Sequence, residues 1–588
     1  MTTMQSTRAQ APPEAPLPAP SARRRRWRRP RGLSSLPLLL VVAFLVLVPA
    51  GFVLLAAFSV DIPRPGSINF DLTLQHLAVF TEPGVLKATL NSLIIGVSAT
   101  LLALLIGGVL AFVTARTDIP LRGFVFLIGL MPLFLPSYVG ALAWSILGSP
   151  VAGLLNIGMR DLGLDFTVNI YSMGGVVLVM GMFYAPYAFL LMHSSMSLMN
   201  PDLEDAAGVH GGSTWQMLRN VTFPLALPAI LGSALLVFTH IFENFPVSQV
   251  LATPGQIDTL PTFIYRLMNA SPSRGNEAAV MAVVLVIVVL LVTLGQRRIL
   301  ARRSYTTVSG KGLKARRISL GGWRWPLFGF ALGYLLLAII LPLAALVLTA
   351  IRTSPYMQSF SDLSAPGAID FGSFGQVLRS DLFLDSAGNS VVVAVASAVL
   401  GTVVAFLVGY TVYRTRAKAR GLLEGVSMVP LAIPAIVLGM GLLWTWLVMP
   451  VPLYGTLAVL VIAFLAVQMP QGLRGIASSI QSTERDLEDN AVLHGARRSR
   501  AVLSITVPLM RVGIASTFLM LLMLSMRELT VPLFLYTSET HILSITIFDQ
   551  FENGGALQQA AAMSVIYCLI MFVLSYLPRR LGSGSITP

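Results

Sequence analysis

The chain has 588 residues, of which 55% are hydrophobic and only 11% are charged, and its mean hydropathy is +0.78. Soluble domains carry roughly 25% charged residues, so this composition excludes an ordinary soluble enzyme and predicts a membrane protein. The net charge of +14 comes without basic patches interleaved with aromatic residues, which argues against a nucleic-acid partner, and the single cysteine, Cys568, excludes a disulfide framework within the chain.

The first 35 residues are predicted to form a disordered, basic cytoplasmic tail. Residues 1–22 are rich in proline and alanine without apolar periodicity, and the arginine-rich stretch RRRRWRRPR follows them. The apolar run at 36–58 exceeds the roughly 7–15 residues of a signal-peptide core, and no A-x-A-like site closes it. An uncleaved anchor is therefore preferred to a cleaved signal peptide.

Apolar stretches of about 20 residues, the length that crosses roughly 30 Å of hydrocarbon, recur along the whole chain. The predicted fold is all-α and polytopic, with about twelve transmembrane helices. The predicted spans lie near 36–58, 88–114, 123–147, 173–192, 224–250, 277–295, 326–350, 388–412, 422–448, 453–471, 508–532 and 559–577.

Basic residues predict the orientation of these spans. If both termini are cytoplasmic, 31 of the 40 lysines and arginines fall inside, seven fall outside and two lie within a span. Cytoplasmic loops are enriched in lysine and arginine, so this count favours cytoplasmic termini.

The sequence also repeats in two halves. The dipeptide Asn91-Ser92 recurs as Asn389-Ser390 with a spacing of 298, and from Pro186 onward the spacing is 284. Because the second span of each half enters from the same side, the repeats are predicted to be parallel. The predicted units are a first half at 36–296, a basic cytoplasmic linker at 297–325, a second half at 326–580 and a tail at 581–588.

One polar segment recurs between the fourth and fifth spans, on the predicted cytoplasmic side. It reads LEDAAGVHGG at 203–212, the first loop, and LEDNAVLHGA at 487–496, the second loop. An acidic first turn suits a helix start, and Gly211 or Gly495 is expected to end each helix in the left-handed conformation. Thr483 with Asp486 is the predicted cap of the second helix. A helix lying on the membrane is the simpler alternative, but its acidic side chains would be repelled by the anionic inner leaflet.

Both loops resemble the EAA loop of permease subunits of ATP-binding cassette importers. That pattern is Glu-Ala-Ala, three residues, a glycine, and a proline 13 residues after the glycine. An aspartate replaces the leading glutamate in both copies, and an asparagine replaces one alanine in the second. The matching residues are Asp205-Ala206-Ala207, Gly211 and Pro224 in the first half and Asp489-Asn490-Ala491, Gly495 and Pro508 in the second.

In that family each loop forms a coupling helix that docks on a cytoplasmic ATPase subunit. The resemblance implies a type I importer fold with cores at about 87–295 and 385–577, two copies of the ATPase, and an extracytoplasmic solute-binding protein. The only Gly-Lys pair, Gly310-Lys311, lacks the other residues of a Walker A motif, so no enzyme activity or cofactor is expected here, and ATP and magnesium are expected on the partner. The implied docking residues are Glu204, Asp205, Ala206, Ala207 and Gly211 in the first loop and Glu488, Asp489, Asn490, Ala491 and Gly495 in the second.

Ionisable residues within spans are costly and therefore mark pathways or pairs. Glu243-Asn244 in the first half corresponds to Arg527-Glu528 in the second. We expect Glu243 and Arg527 to approach near the pseudo-twofold axis as a gate. The alternative places both at the outer headgroup boundary, where they would have no role. No metal site is predicted, because His240 beside Glu243 is more often a satisfied polar patch.

The segment RELTVPLFLYTSETHILSITIFDQFENG at 527–554 resembles ferric-iron importer permeases and their relatives for phosphonates, thiamine and polyamines. The resemblance implies a multi-pass protein of the bacterial inner membrane, embedded in the lipid bilayer, with iron(III) as the first choice of solute. An ion-coupled secondary transporter could share twelve spans and parallel halves, yet it would need no paired docking loops.

Overall fold

The computed structural model describes residues 35–199, 214–302, 318–354 and 356–581. Within these ranges every regular element is a helix, and β-structure is limited to four isolated bridges. Helices are expected because a chain inside hydrocarbon must satisfy its own backbone N–H and C=O groups. The predicted all-α class is confirmed.

The first half alternates long apolar helices with short surface helices. Its last helix continues a few residues past the predicted start of the linker at 297. The described helices are α1 Ser35–Phe58, α2 Pro83–Arg116, α3 Arg122–Leu130, α4 Ser137–Gly148, α5 Leu154–Asp161, α6 Met173–Ser197, α7 Thr214–Met217, α8 Phe223–Phe242, α9 Leu260–Met268 and α10 Gly275–Arg302.

The second half repeats this order, so that α2, α6 and α8 correspond to α14, α17 and α21 below. Its described helices are α11 Arg324–Leu335, α12 Leu341–Ile351, α13 Gly372–Arg379, α14 Asp381–Arg414, α15 Arg420–Met428, α16 Ala435–Val448, α17 Leu457–Ser482, α18 Asp486–Leu493, α19 Arg498–Ala501, α20 Val507–Leu509, α21 Arg511–Arg527, α22 Leu543–Glu552 and α23 Leu557–Leu581.

Nine helices of the described ranges are long and apolar enough to cross a membrane, and three bent pairs raise this number to twelve if each pair is one span. This agrees with the prediction of about twelve. The third span of each half is one of the bent pairs, with Arg122–Phe134 meeting α4 at 94° and Arg420–Leu431 meeting α16 at 109°. A proline, Pro136 or Pro434, stands at each break, where it lacks an amide hydrogen and disfavours helical geometry in the residue before it. Continuous helices at 123–147 and 422–448 are therefore not observed.

The fifth span of each half begins with the same irregularity. Leu218–Thr222 and Val502–Thr506 are both π-helical and lie 284 residues apart. A proline, Pro224 or Pro508, follows two residues later and cannot donate to the α-helical ladder. In the second half the segment also bends by 75° before α21 begins.

The repeated Asn-Ser dipeptide makes equivalent hydrogen bonds in both halves. The Ser92 hydroxyl accepts a hydrogen bond from the Leu260 amide at 2.8 Å, and the Ser390 hydroxyl accepts one from the Leu543 amide at 2.7 Å. The neighbouring asparagines each donate to a backbone carbonyl at 3.0 Å. These bonds satisfy amides that helix starts leave unpaired, and they attach α9 to α2 and α22 to α14. The sequence repeat is therefore also a structural repeat.

The two halves exchange their first spans. α1 packs against α15 and α16 of the second half, and α11 and α12 pack against α3 and α4 of the first. One close approach is at Gly441, where an added Cβ would lie 2.4 Å from the Pro49 carbonyl oxygen. The halves are joined by apolar packing as well as by the linker.

This packing predicts that Gly441→Ala lowers the free energy of unfolding by about 1–3 kcal/mol, because the methyl group has no room against the Pro49 backbone. Gly425→Ala in α15 is the matched control, since nothing lies within 4 Å of a Cβ at that position. Thermal unfolding of the purified variants measures the difference. Equal midpoints for the two variants would contradict the close packing of α1 on α16.

Candidate functional site

The first loop lies outside the described residues, which resume at 214. The docking roles predicted for Glu204, Asp205, Ala206, Ala207 and Gly211 therefore stay predictions. The second loop is described in full, and the candidate site is built from it.

The second loop contains the short helix α18, whose end matches the prediction. Gly495 has φ +91°, in the left-handed region that favours glycine. The Ala496 amide donates to the Ala491 carbonyl at 3.0 Å, and the Gly495 amide donates to the Val492 carbonyl at 3.1 Å. This is the Schellman arrangement, which satisfies the last carbonyls of the helix. The predicted role of Gly495 as a helix stop is confirmed.

The start of α18 differs from the prediction. The N-cap position is Arg485, which makes no side-chain cap, and the Thr483 hydroxyl donates back to the Ser479 carbonyl at 2.8 Å. Thr483 therefore ends α17, which runs to Ser482, so the predicted cap was wrong. Acidic residues in the first turn still stabilise the helix through its positive N-terminal end.

Glu488 points into the protein, although it was predicted to dock an ATPase. Its side chain is 2% exposed and is bonded by Tyr410, by the Arg498 Nε at 2.8 Å and by the Thr506 hydroxyl at 2.9 Å. Asp489 is paired with Arg498 at 2.9 Å and with Arg485 at 3.2 Å. The sequence analysis missed Tyr410, Arg498 and Thr506.

The outward surface of the second loop is formed by other residues of the same helix and turn. Asn490 and Gly495 are exposed, and Ala491 is half-buried. The exposed side chains of Leu493 and His494 border them. The docking roles of this surface and of Glu488 and Asp489 stay predictions.

A buried arginine supports the base of the loop. Arg414, at the end of α14, is 5% exposed and donates to the carbonyls of Ile480 at 3.0 Å and Thr483 at 2.5 Å. A cation at a helix C-terminus is favourable, and here it fixes the end of α17 three residues before α18 begins. Its repeat counterpart, Arg116, is fully buried.

The pathway candidates of the first half lie deep in the bundle. Glu243 and Asn244 follow the end of α8, and the Asn244 amide donates to the Tyr184 hydroxyl at 2.6 Å. Tyr184 stands near the middle of α6, with eleven residues before it and thirteen after it. The end of α8 is therefore at mid-span level, which argues against the headgroup-boundary alternative. Broken helices that end at this depth are the usual way in which transporters place polar groups on a pathway.

Glu243 and Arg527 approach one region without touching. Both side chains lie within electrostatic range of Tyr184, but no ion pair joins them within the described part of the chain. Glu243 lies 3.3 Å from His240, and the Arg527 Nη1 donates across the halves to the Leu133 carbonyl at 2.8 Å. Glu528 accepts from the amides of the turn that follows it. A Glu243–Arg527 pair is thus absent from this conformation, and its formation in another stays a prediction.

Contacts between the halves also occur beyond the ends of α8 and α21. The Phe245 and Phe548 ring centroids are 6.4 Å apart, and those of Tyr265 and Phe534 are 6.1 Å apart. Burial raises the pKa of the Glu552 carboxyl in α22, and the Gln249 amide from the other half partly offsets this. Together these contacts join α9 and the segment after α8 in the first half to α22 and the segment after α21 in the second.

A double-mutant cycle tests the geometry of the charged pair. Arg527→Met is expected to destabilise the protein by about 1.5–3 kcal/mol, because it removes a charged hydrogen bond between the halves. Glu243→Gln should have a smaller effect, and the two effects should add within about 0.5 kcal/mol. Denaturation midpoints of the two single variants and the double variant give the coupling energy. A coupling above about 1 kcal/mol would show a direct pair and contradict the described contacts.

The chain is similar to known proteins. The family model described as the binding-protein-dependent transport system inner membrane component matches residues 99–304 and 401–583, once in each half. The chain is 24% identical to the ferric transport system permease protein FbpB of Actinobacillus pleuropneumoniae, over 71% of this chain and 60% of that protein. It is 22% identical to the Fe(3+)-transport system permease protein FbpB 2 of Haemophilus influenzae, over 91% and 95% respectively.

Two further proteins each match about half of this chain. The trehalose transport system permease protein SugB of Mycobacterium tuberculosis is 27% identical, over 42% of this chain and 84% of that one. A chain of a crystal structure of a bacterial alginate ABC transporter in complex with an alginate pentasaccharide-bound periplasmic protein matches with a TM-score of 0.35 and 21% identity, over 45% of this chain and 94% of that one. Because the family model matches more than half of the sequence, this chain belongs to the family of inner membrane components of binding-protein-dependent transport systems, with two permease units fused in one chain.

Proposed function

We propose that this chain is the permease subunit of an ATP-driven importer and that its two halves enclose the pathway of a solute delivered by an extracytoplasmic binding protein. The observation that carries the proposal is the α18 helix with its Schellman turn, which presents Asn490 and Gly495 beside the base of the fifth span. Membership of a binding-protein-dependent family supports the delivery step.

The chain is proposed to transmit motion rather than to perform chemistry. Two cytoplasmic ATPase copies would each hold one loop, with ATP and magnesium bound on those subunits. Approach of the ATPases would then move the loops together and rock the halves about the central pathway. In this scheme both termini are cytoplasmic and the extracytoplasmic ends of α9 and α22 separate to admit solute.

Iron(III) is the proposed solute. The support is the pair of ferric transport permeases whose similarity extends across both halves, whereas the trehalose permease matches about one half. Phosphonate, thiamine and polyamine are the alternatives within the same architecture. An ion-coupled secondary transporter is the remaining alternative, and it predicts uptake that survives ATP depletion.

The solute can be tested on the full chain purified with the ATPase that adheres to it. In nanodiscs, an iron(III)-loaded ferric-binding protein is expected to stimulate ATP hydrolysis several-fold, and a trehalose-loaded binding protein is not. Stimulation by the sugar protein alone would reject iron. Solute uptake driven by an ion gradient without ATP would reject the importer.

The loop glycines provide a second test. Gly495→Leu places a side chain in the left-handed region at a local cost of about 1 kcal/mol, although space is open around the Cβ position. We therefore expect near-normal membrane levels but strongly reduced ATP-driven uptake in the Gly211→Leu/Gly495→Leu double variant. Gly425→Ala, far from both loops in sequence, should retain uptake. Normal uptake in the double variant would contradict the coupling role.

A further inference from the structure

We propose that Glu488 is a positioning residue that clamps the second coupling helix to the spans of its own half, with a tyrosine and an arginine that the first half does not have at the equivalent positions. The inference rests on the proposed function, since it assigns a route for the force that an ATPase would deliver. The clamp is formed by a side chain on the inward side of α18, whereas the proposed docking surface lies on the outward side of this helix.

The Glu488 carboxylate is buried within the second half. One Glu488 oxygen, Oε1, accepts from the Tyr410 hydroxyl and from the Arg498 Nε at 2.8 Å. The other, Oε2, accepts from the Thr506 hydroxyl at 2.9 Å. Both oxygens are therefore satisfied although the side chain is 2% exposed. Removing one partner would leave a buried charge incompletely bonded, which costs more than the loss of a surface ion pair.

The residues that bond Glu488 lie on different helices. Tyr410 belongs to the last turns of α14, and Thr506 is the last residue of the π-helix that opens the fifth span. Arg498 begins α19 and also holds Asp489 at 2.9 Å. One carboxylate thus joins the coupling helix to two different spans. A displacement of α18 must move both spans together or break these bonds.

The two halves differ in sequence at two of the positions that bond Glu488. At the repeat spacings, Glu488 and Thr506 correspond to Glu204 and Thr222. Tyr410, however, corresponds to Phe112, which has no hydroxyl, and Arg498 corresponds to Thr214, which has no charge. The first half therefore lacks the phenol and the guanidinium of the clamp. The sequence therefore does not give the first half the same set of partners that holds Glu488 in the second.

The clamp can be tested on the permease alone. Tyr410→Phe gives the second half the residue that the first half has, Glu488→Gln removes the charge, and Asp486→Asn changes an exposed acid in the same first turn as the matched control. Hydrogen exchange of the full chain in nanodiscs is expected to quicken at least tenfold at the amides of 488–496 in the first two variants. The control should exchange like the unmodified chain. Unchanged exchange in both clamp variants would overturn the proposal.

The consequence for transport needs the assembled complex. With ATPase binding retained, Tyr410→Phe and Glu488→Gln are expected to raise the ATP hydrolysed per solute imported at least fivefold, and Asp486→Asn should not. An unchanged ratio in both variants would overturn the positioning role even if exchange quickens, because a purely structural contact would not alter the ratio. If no ATPase binds the unmodified chain, the proposed function fails while the exchange measurement still decides whether the clamp exists.

Discussion

The structure depends on one constraint, which is that backbone polar groups inside a bilayer must find partners within the protein. Long helices meet this constraint over most of the chain. Where a helix stops or breaks, side chains complete the bonding, as Ser92 and Ser390 do for the starts of α9 and α22. Arg414 does so for the end of α17. At these helix ends, too, backbone polar groups find hydrogen-bond partners within the protein.

These interruptions coincide with the regions that a permease would need to move. The third and fifth spans are broken or π-helical near prolines, and α8 ends at the level of Tyr184. A polar cluster of Glu243, Asn244 and Arg527 gathers at that depth without forming an ion pair between the halves. The exchanged first spans bind the halves along their sides, and aromatic pairs such as Phe245 with Phe548 add contacts between the halves. This arrangement is compatible with the proposed rocking of the two halves.

Much of this could be predicted because it is encoded locally. The apolar lengths gave the spans, the two spacings gave the duplication, and the acidic turn with Gly495 gave the stop of α18. Contacts between distant residues could not be predicted in the same way. Glu488 was predicted to be a docking residue because its neighbour Asp489 matches a motif, and its burial against Tyr410, 78 residues away, was not foreseen. Thr483 was assigned as a helix start because no local signal shows that α17 continues to Ser482. The prolines of the third span marked the repeat, yet the size of each bend depends on packing between helices.

The proposed function requires that two cytoplasmic loops of one chain are bound by separate ATPase subunits. Site-directed cross-linking tests it most directly, with a cysteine at the exposed position Asn490 or at its first-half counterpart Ala206 in a Cys568→Ser background. The account predicts that each cysteine cross-links to a co-purified ATPase subunit, and that the double-cysteine chain captures two copies. Absence of cross-linking at both positions in a complex that still imports solute would contradict it.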